Sequence, residues 1–289
     1  MKRCMLPHET LPDEAGEAGE IPATQQSMAV TRWRGGEATA ATAEIDHIAE
    51  EVPVALEYNG VSHAVMLATP ADLEDFALGF SLSEGIVAAP RDVYGIDVVT
   101  RPNGVAVEIE IASEAFVALK ARRRALAGRT GCGLCGTESL DEVMRAPHVV
   151  QSEVSFDPAV LHAAFAQLQR RQALLRDTGA THAAGWLRAD GEVSLVREDV
   201  GRHNALDKLA GALARSNEDI GRGAVIVTSR ASYEMVLKTA AIGAGVLAAV
   251  SGPTALAVRL AGTAGVTLAG FVRAGGLVAY AHPHRLRMA

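Results

Sequence analysis

Aromatic residues are scarce in this chain, 4% of 289 positions, so its core has to be built from Ala, Val, Leu and Ile. Cysteine is scarcer still. Cys4, Cys132 and Cys135 cannot staple a disulfide framework, and two of them form a CxxC, the spacing of thiol chemistry or metal binding in a reducing compartment. There is no excess of basic charge. A net charge of −7 argues against a protein that coats a nucleic-acid backbone. No targeting segment is expected either, because Met1 to Glu9 holds Lys2 and Arg3 but no apolar run before the first carboxylate. The expected compartment is the cytoplasm. The 20 residues between Lys238 and Arg259 carry no charge, yet Gly243, Gly245, Gly252 and Pro253 interrupt a largely Ala segment. A membrane span is rich in Leu, Ile and Phe instead, so this stretch reads as buried helix, strand, turn and helix, with no membrane partner. What remains, 49% hydrophobic and 21% charged, is a globular composition.

Residues 1–30 set Lys2 and Arg3 against five carboxylates, with no apolar period, and read as a flexible acidic tail. Order is expected from about Thr31–Arg34. An N-terminal α+β portion, 31–128, follows. Val52–Tyr58 and Val61–Thr69 flank Asn59-Gly60, a hairpin signal. Thr69 is the expected N-cap, and Pro70 the first residue, of a helix running to about Glu84. Val105, Val107, Ile109 and Ile111 alternate as a strand, and Ser113–Ala127 is helical. A mobile CxxC loop, 129–137, separates this portion from an α/β cofactor-binding domain, 138–289. There the pattern predicts one helix over Asp157–Arg176 and a hairpin at Asp190-Gly191, between Thr181–Arg188 and Val193–Val196. Helices then alternate with strands: His203–Ser216, Ala224–Thr228, Tyr233–Ile242, Val246–Val250, Thr254–Ala261 and Val266–Phe271. Short apolar strands between helices imply parallel crossovers. The expected fold class is α/β, a mixed sheet covered by helices.

The sharpest local feature is Arg129-Thr130-Gly131-Cys132-Gly133-Leu134-Cys135-Gly136-Thr137. Its residues fit half of a zinc site, a reversible dithiol, a sulfur carrier or an inert turn. A closed zinc site needs two further ligands at suitable spacing, and the His-x-Glu of a zinc deaminase is missing. Between Glu114 and Glu138 there is no acid, but Lys120, Arg122, Arg123, Arg124 and Arg129 are present. Positive charge favours thiolate. Beyond Glu234 the last 55 residues again contain no carboxylate. An acidic protein with two such stretches is suited to holding one particular anion. Three polar clusters sit where α/β proteins bind ligands, beyond the carboxyl ends of strands. Arg197–Asn204 enters a helix with Arg202, His203 and Asn204. Thr228–Ser232 carries Ser229 and Arg230. Phe271-Val272-Arg273-Ala274-Gly275-Gly276 follows the apolar run Val266–Ala269 and the last strand. Phe271 offers a face to a base, Arg273 a charge to phosphate, and Gly275-Gly276 close backbone approach.

The Gly131–Gly136 loop, Arg197–Leu209 (REDVGRHNALDKL), Ser229–Lys238 (SRASYEMVLK), Pro253–Val258 (PTALAV) and Ala68–Ile86 together resemble the formate dehydrogenase accessory sulfurtransferase family, FdhD. The resemblance runs from about Arg32 to Arg285. It implies a fold similar to that of cytidine deaminases, without their zinc chemistry and with no resident metal. It also implies that a cysteine desulfurase loads Cys132 with a persulfide, with Cys135 as the second catalytic thiol. The sulfur then passes to the molybdenum (or tungsten) bis(molybdopterin guanine dinucleotide) cofactor before that cofactor enters formate dehydrogenase. Phe271 to Gly276 are assigned to the cofactor's nucleotide end, although Arg273 to Leu277 are less polar than the family pattern, and a homodimer is implied by the family. The alternative is a cofactor-binding chaperone that shields the molybdenum cofactor and performs no chemistry, which would not need Cys132.

Overall fold

The computed structural model describes residues 20–34, 40–127, 147–273 and 275–287. Strands β1 (Gln25–Arg34) and β2 (Ala40–Ala49) pair as an antiparallel ribbon. Part of the stretch read as tail is therefore strand, and its first 19 residues lie outside the described part. Polar and β-branched residues in alternation are enough for a ribbon, although they offer too little apolar period to stand out in sequence.

β3 (Val52–Tyr58) and β4 (Val61–Ala68) turn at Asn59-Gly60, where φ values of 47° and 77° give the left-handed pair that this dipeptide favours. With β5 (Val93–Arg101) and β6 (Gly104–Ile111) they form a four-stranded sheet in the order β4-β3-β6-β5. Helices α1 (Leu73–Ser83) and α2 (Ser113–Ala127) contribute Phe76, Ala77 and Leu119 to the core of this lobe. Thr69 does not cap α1. Asp72 holds the cap position in a left-handed conformation without a side-chain bond, because the groups of Thr69 are already committed elsewhere, as described below.

The second lobe is a six-stranded mixed sheet in the order β12-β11-β10-β9-β7-β8. Its strands are β7 (His182–Arg188), β8 (Val193–Asp199), β9 (Gly223–Val227), β10 (Val246–Ala249), β11 (Thr267–Arg273) and β12 (Gly276–Ala281). β9, β10 and β11 are parallel, as the alternation of helix and strand predicts. The single helix expected over Asp157–Arg176 is two, α3 (Pro158–Arg171) and α4 (Ala173–Thr178), broken at Gln172. Asp157 caps α3 by accepting from Ala159 N–H at 2.7 Å, while Glu198 accepts from Leu174 and Leu175 N–H at the start of α4. That tertiary carboxylate holds the break and has no local sequence signature. β8 runs to Asp199, three residues past the expected end. The segment Phe271-Val272-Arg273 belongs to β11 and does not follow it, and a further strand, β12, comes after. α3 covers one sheet face with Leu161, Ala164 and Leu168. α5 (Arg202–Ala214), α6 (Tyr233–Ala241) and α7 (Ala255–Ala264) cover the other. The uncharged run after Lys238 is buried helix end, strand and turn, as read. Among the described residues no helix is long and apolar enough to cross a membrane.

The lobes meet where α1 crosses α5. A Cβ on Gly79 would lie 1.7 Å from Asp207 O, and one on Gly211 would lie 1.9 Å from Asp75 O. Only glycine permits this backbone approach.

Candidate functional site

β7 is antiparallel to both β8 and β9, so β8, β9, β10 and β11 all run the same way. Their carboxyl ends share one edge of the sheet, the usual ligand edge of an α/β fold. Backbone bonds tie the loops together there. Thr228 N–H donates to Ala183 O at 3.1 Å, and Ala183 N–H returns a bond to Thr228 Oγ1 at 2.9 Å. Thr254 N–H donates to Ala231 O at 3.1 Å, and Phe271 N–H to Ser251 O at 3.3 Å. His203 Nε2 lies 3.2 Å from Glu234 Oε2, joining the first turns of α5 and α6. The three polar clusters therefore do converge.

Individual residues separate into two kinds. Arg202, Arg230 and Arg273 form no ion pair among the described residues. Arg202 Nε is buried with no hydrogen-bond partner, an orphan donor of the kind that folded proteins seldom leave. Arg273 packs its guanidinium 5.5 Å from the centre of the Phe271 ring. Phe271 itself has φ 54° and is 38% exposed, and its ring rests where a Cβ on Gly252 would sit, 2.7 Å away. Open space surrounds Gly275 and Gly276. These residues present donors, charge and an aromatic face to the outside.

Others face inward. Asn204 donates its side-chain N–H groups to Leu67 O (2.8 Å) and Asp199 Oδ1 (3.0 Å), between the lobes. Val272 is 1% exposed and belongs to the core against α3. Ser229 is buried and donates to Arg230 O at 3.0 Å. Cys132, Cys135 and Ala274 lie outside the described residues. A cleft of about 270 Å³ lined by Thr24, Gln25, Asp72, Arg171, Leu174 and Glu198 contains none of the predicted site residues.

Sequence reasoning missed a buried ionic seam behind this edge. Lys208 and Asp199, both fully buried, lie 2.7 Å apart, and Lys208 also donates to Thr69 O at 2.9 Å. Asp199 further accepts from Thr69 N–H at 3.1 Å and from Gly201 N–H at 2.7 Å. In a second group, Lys238 Nζ contacts Asp207 Oδ1 (2.9 Å), Glu84 Oε1 (2.7 Å) and Ser83 Oγ (3.0 Å). Burial pushes the Asp207 carboxyl up from its usual range and the Lys208 ammonium down. Much of the REDVGRHNALDKL and SYEMVLK runs therefore joins the lobes and holds α5, with Arg202 at its start, in place. Burial, reinforced by Arg202 and Lys238, holds His203 below the ordinary imidazole value, against the pull of Glu234.

The chain has named relatives along nearly its whole length. It is 71% identical over 287 residues to the sulfur carrier protein FdhD of Cupriavidus necator, an alignment covering 99% of this chain and 98% of that protein. It is 60% identical over 261 residues to the sulfur carrier protein FdhD of Bordetella petrii, covering 90% and 93% respectively. Its fold matches the crystal structure of a candidate formate dehydrogenase accessory protein from Desulfotalea psychrophila with a TM-score of 0.72, over 92% of this chain and all of that one, at 22% identity. The family model described as FdhD/NarQ matches residues 49–287, from just before β3 to the end of the described fold. The chain belongs to the FdhD/NarQ family.

Proposed function

We propose that this chain is a sulfur carrier in formate dehydrogenase maturation, working in the cytoplasm as a homodimer on a fold related to that of cytidine deaminases. A cysteine desulfurase hands its terminal persulfide sulfur to the Cys132 thiolate and recovers its own thiolate. The acceptor is the molybdenum (or tungsten) bis(molybdopterin guanine dinucleotide) cofactor, bound as a substrate at the carboxyl edge of the sheet. On delivery the Cys135 thiolate attacks Cys132 Sγ. The terminal sulfur leaves as hydrosulfide for the metal, and a Cys132–Cys135 disulfide remains for an external dithiol to reduce. Cys135 thus supplies the electron pair that turns sulfane sulfur into sulfide.

The observation that supports the anion half of this reading is that Arg202, Arg230 and Arg273, which form no ion pair among the described residues, stand on loops and strand ends at the one sheet edge where three helices also begin. A diphosphate fits that field, and the Phe271 ring suits a guanine base. The test is calorimetry with GDP as a fragment of the cofactor. Arg202→Ala and Arg230→Ala should each weaken binding by about 1.5–3 kcal/mol. Unchanged affinity in both variants would make these arginines structural and place the acceptor elsewhere.

A further inference from the structure

The start of β7 brings to this edge a residue that no motif singled out. His182 opens the strand and is paired in register with Asp199. Strand alternation puts its side chain on the same face as Ala184 and Trp186, the face that carries α5. The next residue, Ala183, is clasped on both its N–H and C=O by Thr228, so the backbone position of His182 is fixed. His182 is half-buried, and α5, which covers that face, begins at Arg202, whose buried Nε no described residue accepts from. Asp199 cannot neutralise that guanidinium, since its oxygens are taken by Lys208, Asn204, Thr69 and Gly201. Gly201 at the N-cap offers no side chain to the free N–H groups of a 13-residue helix.

Resting on the anion site proposed above, we propose that His182 and Arg202 form one seat for a phosphate group of the bound ligand, each donating a ring or guanidinium N–H to it. Two charged groups face the imidazole, Arg202 from α5 and Asp199 from β8, while Thr228 at the end of β9 adds none. Burial first, and then Arg202, hold the His182 pKa below its ordinary 6.5, with Asp199 acting against them. Without ligand the ring is therefore less readily protonated than a free imidazole. A phosphate dianion screens Arg202 and adds its own attraction, so the ring takes a proton from solvent as the ligand binds.

The test is calorimetric titration of the full chain with GDP and with inorganic pyrophosphate, in two buffers of different ionisation heat. Wild-type protein should take up protons on binding, and its affinity should fall several-fold between about pH 6 and pH 8. Pyrophosphate should compete with GDP and show the same uptake. In His182→Gln, affinity should drop several-fold and the difference in heat between buffers should shrink to that of the ligand's own titration. Imidazole resonances of the wild-type protein give a readout independent of any variant, since one ring should move to its protonated shift when pyrophosphate is added. Uptake that persists in His182→Gln, no protonating ring in the wild type, or failure of pyrophosphate to compete would overturn the seat. No GDP binding by the wild type would instead overturn the anion site on which it rests.

Discussion

Lys238 shows how far one side chain can be read from sequence. It closes a motif, lies in an acid-free stretch and looks like an anion ligand, yet it is buried between Asp207, Glu84 and Ser83. Residue types alone do not say which helix face meets the other lobe. Arg202 and Asn204 are two positions apart in the chain, but one keeps an orphan donor while the other bonds Leu67 and Asp199. The ionic seam yields a stability prediction. Lys238→Met leaves the Asp207 carboxylate buried without its cation and should cost about 3–5 kcal/mol in urea unfolding. Adding Asp207→Asn should restore part of that loss, and a second variant no better than the first would show that the pair is not coupled. The histidines give a pH prediction. His203 and His182 both have folded-state pKa values below the ordinary 6.5, so below about pH 6.5 the unfolded chain binds more protons than the folded one. Stability should therefore rise with pH through that window and level off above it. Urea midpoints at about pH 5.5 and 7.5 should differ less in His203→Gln than in the wild type, and an equal difference would remove His203 as a contributor.

At the scale of elements, periodicity and turn chemistry made most of the fold legible. The Asn59-Gly60 hairpin, α2 and the parallel run β9 to β11 stand where alternation and helix period put them. The failures share a cause. α1 starts late because Thr69 bonds Asp199, Val200 and Lys208 across the lobe boundary instead of capping. The break at Gln172 depends on Glu198, more than 20 residues away. Tertiary partners overrode local propensity in both cases. The α1–α5 crossing was invisible for the same reason, since Gly79 and Gly211 read as weak helix residues until the two backbones are seen in contact. Gly211→Ala should lower stability by at least about 1–3 kcal/mol, and a melting temperature equal to that of the wild type would show that α1 can shift aside without penalty.

For the whole molecule, one lobe carries the edge proposed above to bind the anion. The other backs it through α1 and gives rise to α2, after which the chain enters the segment bearing Cys132 and Cys135. Chain order made the two lobes legible, while the thiols lie outside the described residues. The central claim is that sulfur travels on Cys132. It is tested most directly by incubating the protein with a cysteine desulfurase and isotopically labelled cysteine, then locating label by intact mass and peptide mapping. The account predicts one added sulfur per chain, on the peptide containing Cys132, removed by thiol reductant and absent from a folded Cys132→Ala variant that still binds GDP. Wild-type loading of Cys132→Ala, or no label on the wild-type chain, would contradict it and leave a chaperone that holds the cofactor without carrying sulfur.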